Sequence, residues 1–163
     1  MSERTLLLDV FATNQKRERL IEAALTGTDL PAEDYPLYLN IGTAGPLTPT
    51  ELARELGMPL STLLFRVRRL EERRHVERVP NPDDRRSYLL RLTPPGERLL
   101  AFARPLFRAR ALAVEARLGE ERVDALREAL TELGDAIERE LRDATPESPT
   151  PPGRRRPPRS PSV

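Results

Sequence analysis

LTPTELARELGMPLSTLLFRVRRLEERRHVERVPNPDDRRSYLLRLTPPG, residues 47–96, decides the fold. Two short helical patterns meet at a tight turn, and two β-prone runs follow. Thr48 is a capping residue, Pro49 suits the first helical position, and Glu51 completes a T-x-x-E capping box. Leu47 and Leu52 flank the cap at the spacing of a hydrophobic staple. Gly57 can take the left-handed conformation that ends a helix. A second helix is expected to start between Pro59 and Ser61 and to run to about Arg73. At about 100° per residue, Leu63, Val67 and Leu70 share one face, with Leu60 and Leu64 beside it. Ser61, Thr62, Phe65, Arg68, Arg69 and Glu72 point the other way. One face is therefore apolar, and the other carries small hydroxyls, two arginines and an aromatic ring. That suits a helix that packs inward and lies in a DNA major groove outward. An ordinary solvated charged face reads equally well from this helix alone.

The following residues shift that balance. Val76–Val79 and Tyr88–Leu92 are short strand patterns. PNPDDRRS lies between them, with Pro80 and Pro82 expected to break further pairing. An arginine-rich loop beside a candidate recognition helix reads as a wing. In Leu52-Ala53, Leu56-Gly57, Leu70-Glu71, Val76-Glu77-Arg78, Asp84-Arg85-Arg86-Ser87 and Leu92-Thr93-Pro94-Pro95-Gly96, the stretch resembles the winged helix-turn-helix of the multiple-antibiotic-resistance-regulator (MarR) family. The D-x-R wing followed by a strand and L-T-x-x-G is the specific part. L-A-x-x-L-G occurs in many helix-turn-helix proteins. The similarity extends more loosely over residues 5–143. Two positions depart from the family's pattern. Arg74 replaces the glycine usual between recognition helix and wing, which removes the easy left-handed turn. Phe65 occupies an outward position that is more often polar; it either contacts a thymine methyl or folds back onto Leu64 or the neighbouring helix.

Outside this stretch, residues 5–26 read as a first helix. Leu7, Val10, Phe11, Leu20, Ile21 and Ala24 could line one side, and Gly27 fits its end. Between Thr28 and Gly45, Pro31 suits a helix start while Pro36 would disturb a helix already under way. The resemblance implies a helix here, expected from Pro31 or Ala32 to Ile41, bent or beginning late. Thr93 and Pro94 open a long helix whose apolar side holds Leu99, Leu100, Ala103, Leu106, Phe107, Ala111 and Val114. Pro105 predicts a kink near residues 101–105. Gly119 separates it from a last helix, about Glu120–Arg142. There Val123, Leu126, Leu130, Leu133 and Ile137 step by 3, 4, 3 and 4, a narrow a/d seam. The seam packs either on the chain's own helices or on a second copy, and the resemblance implies a dimer. From Thr145, seven prolines and a basic run forbid a packed core, so the tail is expected to be disordered or polyproline-like. It is either simply solvated or an aid to nonspecific phosphate binding.

Composition narrows the function. With 163 residues and no cysteine, the chain can build one domain with a real core, but not disulfides, thiolate catalysis or thiol redox sensing. Its one histidine, His75, cannot make a His-rich metal site and reads as a partly buried residue at the start of the wing. No cofactor or metal is expected. Glycine-rich phosphate loops and the H-E-x-x-H and G-x-S-x-G motifs are all missing, so an enzyme is not expected. Thr5–Ala12 is too short and wrongly flanked for a membrane span or signal peptide, which implies a cytoplasmic protein without a membrane partner. Net charge is only +1, but residues 61–91 carry nine arginines against five carboxylates, a net +4. The tail 144–163 carries +3, leaving −6 for the remainder. Positive charge is thus concentrated on the candidate DNA face.

The expected fold is mainly α with a small β-ribbon, a winged helix-turn-helix (30–96) flanked by dimerisation helices (5–29 and 97–143), with residues 144–163 as the tail. The resemblance implies a homodimeric, sequence-specific regulator of transcription on double-stranded DNA. It would be a repressor of a pseudo-palindromic operator, relieved by a small apolar or aromatic effector. The candidate DNA-binding residues are Ser61, Thr62, Phe65, Arg68, Arg69, Arg78, Arg85 and Arg86, with Asp84 shaping the wing. The competing reading is a winged-helix module that binds protein, whose mark would be an acidic or apolar recognition face.

Overall fold

Residues 5–144 are described by a computed structural model. The element order is α1 (Leu6–Ala24), α2 (Tyr35–Ala44), α3 (Pro49–Glu55), α4 (Leu60–Glu72), β1 (Val76–Pro80), β2 (Tyr88–Leu92), α5 (Pro94–Leu118) and α6 (Glu120–Asp143). The chain forms two compact units that part between Arg117 and Leu118. The predicted tail lies outside the described residues from Thr145 onward. Among the described residues, no helix is long and apolar enough to cross a membrane.

In the first unit, α3 starts as its sequence dictates. Thr48 Oγ1 accepts from the Glu51 amide, and the Glu51 carboxylate accepts from the Thr48 amide at 2.8 Å. These bonds to Thr48 hold the Glu51 carboxyl below its ordinary pKa. The helix ends in a Schellman motif: Gly57 N–H donates to Arg54 O, Met58 N–H donates to Ala53 O, and Gly57 sits at φ +60°. Helix α4 buries Leu63, Val67 and Leu70 completely, in one core with Leu52 of α3 and Leu37, Tyr38 and Ile41 of α2. Each such side chain contributes about 1.5–3 kcal/mol of burial. Leu60 and Leu64 remain 41% and 38% exposed, so the apolar side is narrower than the sequence pattern alone indicates.

The ribbon β1–β2 is antiparallel, with Val76 opposite Leu92 and Glu77 opposite Arg91. Pairing goes no further than Pro80. That residue is the last of β1, opposite Tyr88, where a proline that ends a strand costs little. Leu47 extends the sheet by one residue: its amide donates to Leu90 O, and the Leu90 amide returns a bond of 2.8 Å. The segment before α3 is thereby stitched to the wing.

Helix α2 begins late, at Tyr35, after a turn over residues 32–34. Pro36 falls in its first turn, where an amide has no helical acceptor, so the proline is accommodated rather than disruptive. The helix ends at Ala44, three residues beyond the expected Ile41. In α1 only Ile21 and Ala24 are buried, and Leu6, Leu7, Leu8 and Phe11 are each more than half exposed. Helix α5 runs unbroken as a helix through Pro105. In the second unit, α6 buries none of its residues; Leu126 is 44% and Leu130 61% exposed.

Candidate nucleic-acid interface

The outward side of α4 carries Ser61, Thr62, Phe65 and Arg68, all exposed. Phe65 is 66% exposed and does not fold back into the protein. Arg68 is held only by a loose pair with Glu72, at 3.3 Å and open to water on both sides. Such a pair is worth little and is readily exchanged for a base or phosphate. Leu60 and Leu64 join Thr48, Pro49, Thr50, Arg86, Ser87 and Tyr88 around a shallow cleft between α4 and the wing.

Two of the arginines predicted to face DNA are engaged elsewhere. Arg69 turns sideways, with Nη1 2.9 Å from the Glu33 carboxylate and Nη2 3.8 Å from Asp34. Its position explains this. At about 100° per residue it lies within the outward arc, but nearer to Arg66 and Arg73 than to Arg68. Arg66 donates to Glu33 O at 2.7 Å, and Arg73 reaches Asp29 O at 3.5 Å. Arg78, on β1, forms a two-point pair with Glu71 at 2.6 and 2.9 Å, and its guanidinium lies 4.5 Å from the centre of the Tyr88 ring. It ties the wing to the end of α4.

The wing loop is shaped by its own short side chains. Asp84 Oδ1 accepts from the Arg86 amide at 2.9 Å, and Asp84 O accepts from the Ser87 amide and hydroxyl. Asn81 donates to Ser87 Oγ and accepts from the Asp83 amide. These Asx turns hold the loop without using the arginines. Arg85 and Arg86 are exposed, and among the described residues neither guanidinium has an ion pair or hydrogen-bond partner.

The junction of α4 and wing is unusual. Arg74 adopts φ +59°, in the left-handed region. It closes a second Schellman motif, in which Arg74 N–H donates to Glu71 O at 2.8 Å and His75 N–H to Leu70 O at 2.9 Å. On the far side Thr93 clamps the same turn: its hydroxyl donates to Arg74 O and its amide to His75 O. Gly96 then passes so close to the His75 carbonyl that a β-carbon there would collide with it. The glycine of L-T-x-x-G is thus explained by backbone packing of α5 on the wing's root.

Beneath α4 lies a polar cluster that sequence reasoning missed. Tyr38 Oη is 2.7 Å from His75 Nδ1. Burial pushes the Tyr38 hydroxyl up to about 12, and burial with nearby Arg73 pushes His75 down, so both shifts favour a neutral pair. Asp34 is fully buried, and neither carboxylate oxygen has a hydrogen-bond partner. Burial raises its pKa, against the attraction of Arg69. The one legible signal for the cluster was the 66, 69, 73 arginine spacing; in LPAEDYP, nothing marks Asp34 as buried. Among the described residues, no group of three His, Cys, Asp or Glu is placed to hold a metal ion.

Comparison with known proteins agrees with this geometry. The profile of the MarR family matches residues 28–87. The multiple antibiotic resistance protein MarR of Salmonella typhimurium is 37% identical over 87 residues, 53% of this chain and 60% of that protein. The chain therefore spans 60% of the length of the MarR proteins it matches. The helix-turn-helix regulator YhbI of Bacillus subtilis is 30% identical over 105 residues, 61% of this chain and 68% of its own length. Among solved structures, a MarR mutant from E. coli in complex with operator DNA superposes with a TM-score of 0.70 at 29% identity, covering 78% of this chain and 92% of that one. Element order, wing and sequence agree, and the chain belongs to the MarR family of winged helix-turn-helix transcriptional regulators.

Proposed function

We propose that the protein is a sequence-specific regulator of transcription that binds a pseudo-palindromic operator as a homodimer. The observation that carries this is the outward side of α4, where hydroxyls, Phe65 and a loosely held Arg68 stand beside two unengaged wing arginines. No acidic or apolar docking face takes their place. The related E. coli MarR mutant has been crystallised with operator DNA, which supports the same docking here. Ser61, Thr62 and Arg68 would meet base edges in the major groove, Phe65 a thymine methyl, and Arg85 and Arg86 the adjacent minor groove. Dimerisation is supported by the seam of α6, whose apolar side chains are left without cover. Leucine rows at 3-4 spacing gain their burial from a second helix.

The regulator acts as a repressor relieved by a small, largely apolar effector. A cleft of about 370 Å³ between α2, β2 and α5 has the chemistry for an aromatic acid: Ile41, Leu92 and Leu100 line it, with Arg104 available to a carboxylate. The decisive test selects bound sequences from random duplex DNA with the full chain, then measures mass by sedimentation with and without that DNA. Enrichment of an inverted repeat, bound by twice the chain mass, is expected. Failure to enrich any sequence refutes the reading. Leu126→Asp with Leu133→Asp should give a monomer that no longer selects the repeat; a dimer that survives this change places the interface elsewhere.

A further inference from the structure

Arg66 and Arg69 of α4 and its C-cap residue Arg73, spaced 3 and 4 residues apart, all reach one segment, the turn before α2. Arg73 bonds the Asp29 carbonyl, Arg66 the Glu33 carbonyl, and Arg69 the Glu33 carboxylate. Beneath them the Asp34 carboxylate is fully buried, without a hydrogen bond, and Arg69 is the cation nearest to it at 3.8 Å. The apolar core holds α4 along its inner side, but hydrophobic contact is non-directional and allows a helix to roll and slide. Charge-assisted hydrogen bonds to fixed carbonyls are directional and set register. The stripe also runs from the middle of α4 to its C-terminal end, so it fixes the helix's angle as well as its depth.

We propose that Arg69, held by Glu33 over buried Asp34, is a positioning residue for operator recognition: with Arg66 and Arg73 it sets the roll and angle of α4, and so decides which bases Ser61, Thr62 and Arg68 can reach. This rests on the DNA-binding reading above. Arg69 does not itself read a base. Its guanidinium already has two carboxylates, and leaving them for DNA would strand a buried one, the costly half of a broken pair. Glu33 becomes a specificity residue although it never faces DNA. That is a form of readout in which residues remote from the bases determine which sequence fits.

The test uses Arg69→Ala, which also uncovers buried Asp34, and Glu33→Ala, which keeps Arg69 over Asp34, singly and together, in the full chain. Each selects from random duplex DNA, and binding to the wild-type site and to scrambled duplex is titrated over a salt series. Each single variant should lower the specific-to-nonspecific ratio about fivefold, as expected for a partly exposed pair. Preference should broaden at several adjacent base pairs of each half-site, not at one. The double variant should be no worse than Arg69→Ala, because the pair acts as a unit. Loss of preference at a single base pair by Arg69→Ala, with Glu33→Ala unchanged, would make Arg69 a base reader and overturn the proposal. A uniform loss with a salt slope shallower by about one would make it a phosphate contact, with the same consequence. Lower melting temperatures with unchanged selected sequences would reduce the stripe to a structural tie. If wild type itself enriches nothing, the DNA-binding reading falls and the positioning role with it, an outcome distinct from the other three.

Discussion

Arg74→Gly should make the protein more stable. Arg74 sits at φ +59°, and its conformation is enforced from both sides: the Schellman bonds to Glu71 and Leu70 fix the end of α4, and Thr93 grips the carbonyls of Arg74 and His75. A left-handed conformation costs a residue with a β-carbon about 1–2 kcal/mol. Glycine removes that strain but frees the unfolded chain, which costs about 0.4–1 kcal/mol. The difference favours Arg74→Gly by about 0.5–1 kcal/mol, or roughly 1–4 °C in melting temperature for a chain of this size. The guanidinium has no ion pair or hydrogen bond among the described residues to offset this gain. Thermal and urea unfolding should be run at one protein concentration, because dimerisation makes apparent stability depend on it. Arg74→Ala is the control: it removes the same guanidinium while keeping the β-carbon, and should match wild type. If Arg74→Gly is no more stable than Arg74→Ala, the turn is not strained and the argument from φ is wrong.

Gly96→Ala should destabilise by about 1–3 kcal/mol, as overpacking does, because its β-carbon meets the backbone of His75 rather than a movable side chain; a urea midpoint within error of wild type would show that α5 can shift freely. Arg86→Ala should leave melting and dimer intact, weaken operator binding about tenfold and flatten any preference for A·T-rich flanks, with Arg85→Ala doing less; wild-type affinity for Arg86→Ala would transfer the wing contact to Arg85. Burial holds Asp34 above the usual carboxylate range, so its contribution to stability is fully present below the unfolded pKa and lost as pH rises through the folded one. As pH rises above the ordinary aspartate pKa of about 4, wild type should lose stability relative to Asp34→Asn; parallel curves would remove that assignment.

The helix-turn-helix was legible because its signals are local. The capping box of Thr48 and Glu51 and the glycine at 57 each act within a few residues, and the structure uses both as written. The 3.6 period of α4 found its inner face for the same reason. Helix α2 was harder, since Pro36 is compatible with a break or with a first turn, and only the packing of Tyr35, Leu37, Tyr38 and Ile41 chooses. The bond between Leu47 and Leu90 joins residues 43 apart and leaves no trace in either stretch. Asp34 is of that kind too. An acid before a helix reads as an exposed cap, and its burial depends on what α4 lays over it. At the interface, angle alone gave no sign that Arg69 is paired with Glu33 and Asp34. It lies within the outward arc, but a carboxylate reaches it from the neighbouring segment.

The charge count of residues 61–91 does not by itself say how many guanidinium groups are unengaged. Arg66, Arg69, Arg73, Arg78 and Arg91 are spent on protein partners at Glu33, Asp29, Glu71 and Glu77, and Arg68 is loosely paired with Glu72. These interactions join α4 to the turn before α2, the wing to α4, and the two strands to each other. Arginine suits such work because its planar fork bonds two acceptors at once. The net +4 therefore survives as a field over this face, while few guanidinium groups are free to form direct contacts. A field without many contacts steers encounter and carries little sequence information. On the proposed DNA-binding reading, specificity would rest on a small set, Ser61, Thr62, Phe65 and Arg68 with the wing tip, held in place by the engaged arginines.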